Sequence, residues 1–572
     1  MAKAKSDNAE LSFSSDISTY EQDNINEIST ADEDFELLLR ETDFTDYYKS
    51  TLQSIRKGEV SNNILTLGIN QLQSANNYRA MISAISCEAS TIEQVLVSGY
   101  GKKIDINILC ELENDLAHTN IKAINFERCE IDDEGAKLIV QNLPDSISGL
   151  YFSCNKIGFE GARAIANTLP ESNITSLDLS MNNFSRAVGA ITYGISRSSL
   201  VSLSMEMSNL YAEGTAAIID HLPDSMKTLK LGLNWIGSEA TTGIFSRLAS
   251  SNLISLDLQK NLIGIGTTEL ARNLPNSIRT LNISSNNIGI YGCEALSSRF
   301  HDLNNLSTLD IGGNKIGSEG ARVIADNLSN SNITDLNIRS NYIGKEGASA
   351  IANNLSDSSV TCLDISFNSI GADGARAIAD NLSNSKLTHL NVMYNSIGSE
   401  GARAIADNLP SSELIYLNIS DYDVTTEIIE VIAEGVKNNY SLQSIHLFYG
   451  FNEDFNRKIN PYLQRNITIL EEFEKLYEEF TSSEIISAPI GDEHVIFTEL
   501  VKAISQGTNF KKLSQNDIED DVIERFNDFI LTNYSSELAD SPNLGIEGFM
   551  DRDAFHQQGI LGDNYEFDSD SE

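Results

Sequence analysis

The side chains able to do chemistry in this chain are few and scattered. Its seven histidines are His118, His221, His301, His389, His446, His494 and His556. None belongs to an HExxH motif, and none stands near a cysteine at metal-ligand spacing. His389 and His446 fall on outward strand positions, where they could meet Asp335 or Asp364; the plainer expectation is an ordinary surface role. The six cysteines are Cys87, Cys110, Cys129, Cys154, Cys293 and Cys362, with no CxxC pair among them. That density is far below a disulfide scaffold, so a reducing compartment is expected. No cysteine follows Cys362, so residues 363–572 cannot supply a thiolate nucleophile. No GxSxG elbow, GxxxxGK[ST] loop or Rossmann-type GxGxxG occurs. The expectation is therefore no catalytic residue, no metal and no cofactor.

Composition narrows the partners. The 572 residues are 41% hydrophobic, enough to bury a large core. Acidic side chains number 82 against 40 basic ones, a net charge of −42. Such a charge repels phosphate backbones and anionic membranes unless basic residues segregate, and no basic patch is present. Nucleic acid is excluded, and a protein partner with a basic surface is favoured. No apolar run is long enough to span a bilayer, so no membrane insertion is expected. The opening MAKAKSDNAELSFSSD has no apolar segment behind its lysines and does not read as a conventional signal peptide. A monomer is expected.

What must position any functional side chain is a repeat. ITDLNIRSNYIGKEGASAIANNL begins at Ile333, VTCLDISFNSIGADGARAIADNL at Val360 and LTHLNVMYNSIGSEGARAIADNL at Leu387. The common pattern is LxxLxLxxNxIGxEGAxAIAxNL. Its ninth position runs Cys129, Asn155, Asn182, Ser208, Asn234, Asn261, Asn286, Asn314, Asn341, Asn368, Asn395, Tyr422 and Gly450. Twelve steps cover 321 residues, an average of 26.75 per repeat. The LxLxx stretch alternates as a strand does, sending Leu336 and Ile338 inward and Asp335, Asn337 and Arg339 outward. The ninth-position asparagine is placed to hydrogen-bond backbone groups that the turn would leave unpaired. Gly317 and Gly320 permit tight turning and close approach. Ser318 is expected to cap the following helix. Ala321, Ile324, Ala325 and Leu328 form its apolar stripe. One strand–helix unit cannot cover its own apolar face, so units must stack. The expected fold class is α/β: a right-handed strand–helix solenoid, parallel strands on the concave side of a horseshoe and helices outside, followed by a C-terminal helical region.

These motifs resemble the ribonuclease-inhibitor type of leucine-rich repeat, also seen in the receptor halves of nucleotide-binding innate-immunity proteins. The resemblance covers roughly Ile121 to Gly450. It departs from that family in having one repeat type rather than two alternating ones. The EGARAIADNL wording is most similar to leucine-rich repeat effectors of intracellular bacteria such as Legionella. That resemblance implies a protein-binding effector carried by a type IV route into the host cytoplasm, with the bacterial cytoplasm as the alternative. Glu471, Glu472, Glu474, Glu478 and Glu479 resemble the glutamate clusters near the C-termini of type IV substrates, although about 90 residues follow them; the plain reading is a solvated helix face. Some bacterial effectors of this kind carry a cysteine-based ubiquitin ligase, and here that resemblance fails for want of the cysteine.

The flanks divide as follows. Residues 1–30 read as a mobile segment and 31–60 as a helical cap built on Phe35, Leu38, Leu39 and Phe44. The solenoid takes 61–451. Its weaker first repeats place Ile64, Leu67 and Ile69, then Ile92, Val95 and Val97, at the LxxLxL positions, with Leu72 and Tyr100 in the ladder. INPYLQRN, from Ile459, reads as a closing helix. Residues 452–540 read as a helical C-terminal region, with helices from Ile467, around 495–505 and over 517–533, and 541–572 as an acidic flexible tail.

Outward positions carry the variation between repeats. Midway these are small: Asn282, Ser284, Ser285, Asp310, Gly312 and Gly313. Further on they become aromatic. Phe367 and Tyr394 stand just before the ladder asparagine in adjacent repeats, Tyr416, Phe448 and Tyr449 continue the patch, and Tyr342 lies at its edge. Asp335, Arg339, Asp364, His389 and Asp421 rim it. Aromatics within a charged ring suit a protein contact, though Phe367 and Tyr394 could equally stack on each other over the ladder. A second patch comprises Met181, Met207, Leu233, Trp235 and Leu262. Three functions follow as expectations: a secreted effector binding a host protein, an enzyme whose C-terminal region acts on a presented partner, or a scaffold that stays in the bacterium.

Overall fold

A computed structural model of the chain describes residues 34–60, 63–68, 75–87, 89–99, 102–104, 115–238, 243–421, 425–439, 441–447 and 457–467. The chain divides into two compact units, Met1–Asn234 and Trp235–Glu572.

In the first unit, helices at 34–40 and Asp46–Arg56 precede the repeats, with Phe35, Leu39, Phe44, Leu52 and Ile55 buried. Seven parallel strands follow: Ile64–Gly68 (β1), Gln94–Ser98 (β2), Ala123–Glu127 (β3), Gly149–Tyr151 (β4), Ser176–Asp178 (β5), Ser202–Ser204 (β6) and Thr228–Lys230 (β7). Helices such as Asp133–Gln141 and Phe159–Thr168 return the chain between them. Phe152 and Phe184 are the bulkiest fully buried side chains here.

The first repeat corrects one expectation. In β1, Leu65 and Leu67 pair with Val95 and Val97 and are buried, while Ile64 is 40% exposed. The LxxLxL reading from Ile64 was therefore two residues out of step for its central position. A short apolar run, ILTLGI, fits two registers, and neighbour pairing chooses between them. Leu72, the ladder place that goes with the reading from Ile64, lies outside the described residues.

In the second unit, eight strands run parallel: Ser255–Asp257 (β8), Thr280–Asn282 (β9), Thr308–Asp310 (β10), Asp335–Asn337 (β11), Cys362–Asp364 (β12), His389–Asn391 (β13), Tyr416–Asn418 (β14) and Ser444–His446 (β15). Their middle residues align in one buried column, for example Leu309, Leu336, Leu363, Leu390 and Leu417. Each helix buries the expected stripe; in Gly317–Ala325 this is Gly320, Ala321, Ile324 and Ala325. An alanine Cβ at Gly320 would stand 2.7 Å from the Ile316 Cβ and 3.2 Å from the Cys293 Sγ, so glycine there is set by packing. Gly317 has φ +66° with nothing near its missing Cβ, so glycine there is set by backbone conformation.

Ser318 does not cap that helix. The capping position falls on Ile316, and no side chain supplies a capping bond. The left-handed turn at Gly317 leads the chain in, and it places Ser318 inside the first turn. After β15, residues 460–467 are helical with Ile459, Leu463 and Asn466 buried, and the Asn466 amide donates to the Leu442 carbonyl at 2.7 Å. The expected mobile N-terminal segment, the helices after 467 and the acidic tail lie outside the described residues. So do Tyr100, Tyr422, Phe448, Tyr449 and Gly450.

Candidate protein-binding face

The asparagine ladder holds each turn and thereby aims the side chains beside it. Asn341 is fully buried, and its amide donates to Ile338 O of its own repeat and Ile311 O of the preceding one, both at 2.9 Å. Its side-chain oxygen accepts the Asn314 N–H at 2.7 Å. Asn368 repeats the arrangement one step on. Ser208 keeps part of it, its hydroxyl reaching Leu179 O and Glu206 O. At Cys129 a thiol takes the place, 3.4 Å from Val97 O. Burial pushes that thiol's pKa up to about 12, with Glu127 adding to the shift.

From Ser208 to Asn395 the residues on either side of the ladder position are left-handed. Met181, Met207, Leu233, Trp235, Leu262, Tyr342, Phe367 and Tyr394 all have φ between +49° and +60°. Eight of the sixteen candidate contact residues thus occupy a conformation that costs an ordinary side chain about 1 kcal/mol or more. Gly313 takes it without that cost. The sequence carried a hint of this, since glycine appears at one of these places, but the bulky residues concealed it.

In the second unit the structure brings the aromatic candidates together as two groups. In the turns after β12 and β13, the Phe367 and Tyr394 rings lie 4.7 Å apart at 53°, a tilted contact rather than a parallel stack. The Arg339 guanidinium sits 4.7 Å above the Phe367 ring. On the strands, His389 and Tyr416 stack at 6.0 Å, and Tyr416 meets His446 at 5.5 Å. His389 Nδ1 lies 2.9 Å from the Thr388 hydroxyl, and no ion pair joins it to Asp335 or Asp364 among the described residues. Asp335 instead accepts from the Thr334 hydroxyl at 2.6 Å. Burial and the Asp335 carboxylate raise the pKa of the neighbouring Cys362 thiol. Tyr342 is 73% exposed and makes no ring contact with either group among the described residues. Asp421 lines a small cleft with Ile397, Ala402, Ile419 and Ile428.

The second patch falls across the division of the chain. Met181, Met207 and Leu233 belong to the first unit, where Met181 Sδ touches Cys154 Sγ at 2.8 Å. Trp235, 62% exposed, and Leu262 belong to the second.

A feature not anticipated from the sequence is a second polar ladder on the outward sheet face. The third strand residues of β8 to β13 alternate as Asp257, Asn282, Asp310, Asn337, Asp364 and Asn391, in register. Each asparagine amide donates to the carboxylate one strand earlier, at 2.8 to 2.9 Å. Burial raises the pKa of Asp310, and the Asp257 and Asp364 carboxylates add to the rise against the opposing Gly312 and Asn337 bonds. The visible signal was the alternation of LDL or LDI with LNI or LNV in successive repeats. Among the described residues no three His, Cys, Asp or Glu side chains group to hold a metal ion, and no helix is long and apolar enough to cross a membrane.

A family model described as Leucine Rich repeat matches residues 117–140, 275–297, 302–325, 329–352, 356–379 and 383–406. No curated protein sequence matches the chain. Among solved structures, the chain is similar to an internalin, InlF, of Listeria monocytogenes: 15% identity, TM-score 0.35, covering 74% of this chain and 94% of that one. It is similar to the leucine-rich repeat-containing protein LegL7 of Legionella pneumophila at 16% identity and TM-score 0.31, covering 65% and 97%. It is also similar to a chain of the yeast Rad7 and Elc1 complex at 13% identity and TM-score 0.39, covering 72% and 95%.

Proposed function

We propose that this leucine-rich-repeat solenoid is a protein-binding scaffold and that its contact surface includes the outward sheet face of the second unit. One observation carries the reading. Phe367 and Tyr394 hold left-handed backbone conformations at which glycine is cheaper. Backbone conformation alone favours glycine there, whereas a contact surface uses large aromatic side chains well. The net charge of −42 supports a partner with a basic surface, met by long-range attraction that salt screens.

Replacing Phe367, Tyr394 and Tyr416 together by alanine tests this. Far-ultraviolet circular dichroism and the melting temperature should stay close to the parent's, while partner capture from a host-cell lysate falls at least tenfold. Capture unaltered by the triple change removes the face from consideration.

The proposal extends to delivery of the chain by a bacterium into a host cytoplasm. The likeness of the EGARAIADNL repeats to bacterial effector repeats supports that step. A translocation reporter fused to the chain decides it: signal inside host cells that depends on type IV secretion is expected, and its absence favours a scaffold retained by the bacterium.

A further inference from the structure

Around Asp364 four unusual features of the second unit converge. Asp364 is one of the regularly spaced carboxylates of the outward ladder, about 10 Å from its counterpart Asp310 two strands away. One of its oxygens accepts the Ser366 N–H at 2.9 Å and the other the Asn391 amide at 2.9 Å. A carboxylate has roughly four acceptor positions, so two stay open. Ser366, two residues on, is fully buried, and its hydroxyl has no hydrogen-bond partner among the described residues. Its counterparts differ: the Ser284 hydroxyl donates to Asn282 at 2.8 Å, and the Ser180 hydroxyl pairs with Ser204 at 2.7 Å. Next comes the Phe367 and Tyr394 ring pair. Above Phe367 lies the Arg339 guanidinium, which forms no ion pair among the described residues.

A buried hydroxyl without a partner is costly. A guanidinium held only by the face of a ring is weakly held. Both conditions end if a guanidinium enters that stacks on the rings and donates to Asp364 and Ser366. Arginine's planar fork does this and lysine's compact ammonium does not. We infer that Asp364, Ser366, Phe367 and Tyr394 form a subsite for an arginine side chain of a protein partner, and that Arg339 occupies its aromatic wall as a placeholder in the free protein. The inference rests on the reading of this face as a protein-binding surface and gives that surface its partner chemistry.

The probe is a short capped peptide, Gly-Arg-Gly-Arg-Gly, titrated into the full chain by nuclear magnetic resonance beside its lysine counterpart. The arginine peptide should bind at least fivefold more tightly than the lysine one. R339A should bind it at least threefold more tightly than the parent, because the placeholder is gone. D364N and F367L should each bind it at least fivefold more weakly; F367L keeps bulk and covers the case in which D364N disturbs the ladder. Equal affinity for the two peptides, or affinity indifferent to D364N and F367L, overturns the subsite and leaves only diffuse attraction to an acidic protein. Weaker binding by R339A overturns the placeholder. Lysate capture by the triple alanine variant separates the two levels. If capture depends on the patch but the peptide is bound without site dependence, the binding face stands and the arginine subsite fails. If capture ignores the patch as well, both fail.

Discussion

Asn341 shows how much a single amide can hold. It supplies two donors and one acceptor to three backbone groups in two repeats, all away from water. Alanine there leaves those groups unpaired, at a cost of about 3 kcal/mol or more. The expected result for N341A is faster hydrogen exchange at the Asn314 amide, whereas Y342A, at an exposed neighbour, leaves that amide unchanged. Equal protection in N341A and the parent refutes the ladder's role. Asp310 makes a second residue-scale prediction. Its folded pKa lies above the ordinary aspartate value of about 3.9 because burial and two neighbouring carboxylates disfavour its charge. The native state therefore keeps this proton longer than the unfolded chain does. Its contribution to stability is greatest below the ordinary value and is lost as pH rises through the raised one. Asparagine at that position has no proton to lose. In urea unfolding, D310N should gain on the parent between pH 4 and pH 7; a difference that is flat or falls with pH contradicts the assignment.

At the scale of the strand–helix element, glycine acts in two ways within four residues. Gly317 provides a left-handed turn in open space, and Gly320 provides room for the neighbouring helix. G317A should cost about 1 kcal/mol through backbone conformation alone. Asparagine tolerates that conformation better, so G317N should cost less. Denaturant midpoints for the two variants check the order, and the reverse order would mean that space, not φ, sets this position. The helix starts explain why Ser318 misled the sequence reading. Serine before a helix is a familiar cap, but the left-handed glycine shifts the start so that Ser318 falls within the turn.

Across the whole chain, each compact unit carries a buried thiol that reports on it. Burial pushes Cys129 in the first unit and Cys293 in the second up to about 12, with Glu127 and Glu294 adding to the respective shifts. At neutral pH both are therefore protonated and shielded, whereas Cys154 is partly accessible. A maleimide probe followed by peptide mapping should modify Cys154 in the native protein and reach Cys129 and Cys293 only as their surroundings unfold. Labelling of all three at equal rates in the absence of denaturant rules out the packed ladder and helix stripe that bury them.

The sequence by itself determined the period, the parallel strand–helix unit and the identity of the buried column. Those follow from apolar spacing and from an amide recurring about every 27 residues, both of which are one-dimensional signals. Which candidates meet was decided only by the tertiary structure. Tyr342 and Tyr394 stand on opposite sides of their ladder asparagines, and among the described residues the Tyr394 ring meets Phe367 while the Tyr342 ring meets no other. The first repeat's register and the pairing of Asp364 with Asn391 likewise depend on which strand lies alongside. A contact between residues 27 apart requires the turns to close with a fixed step and the chain to pass the same face again. Side-chain reach across that step is a property of three dimensions.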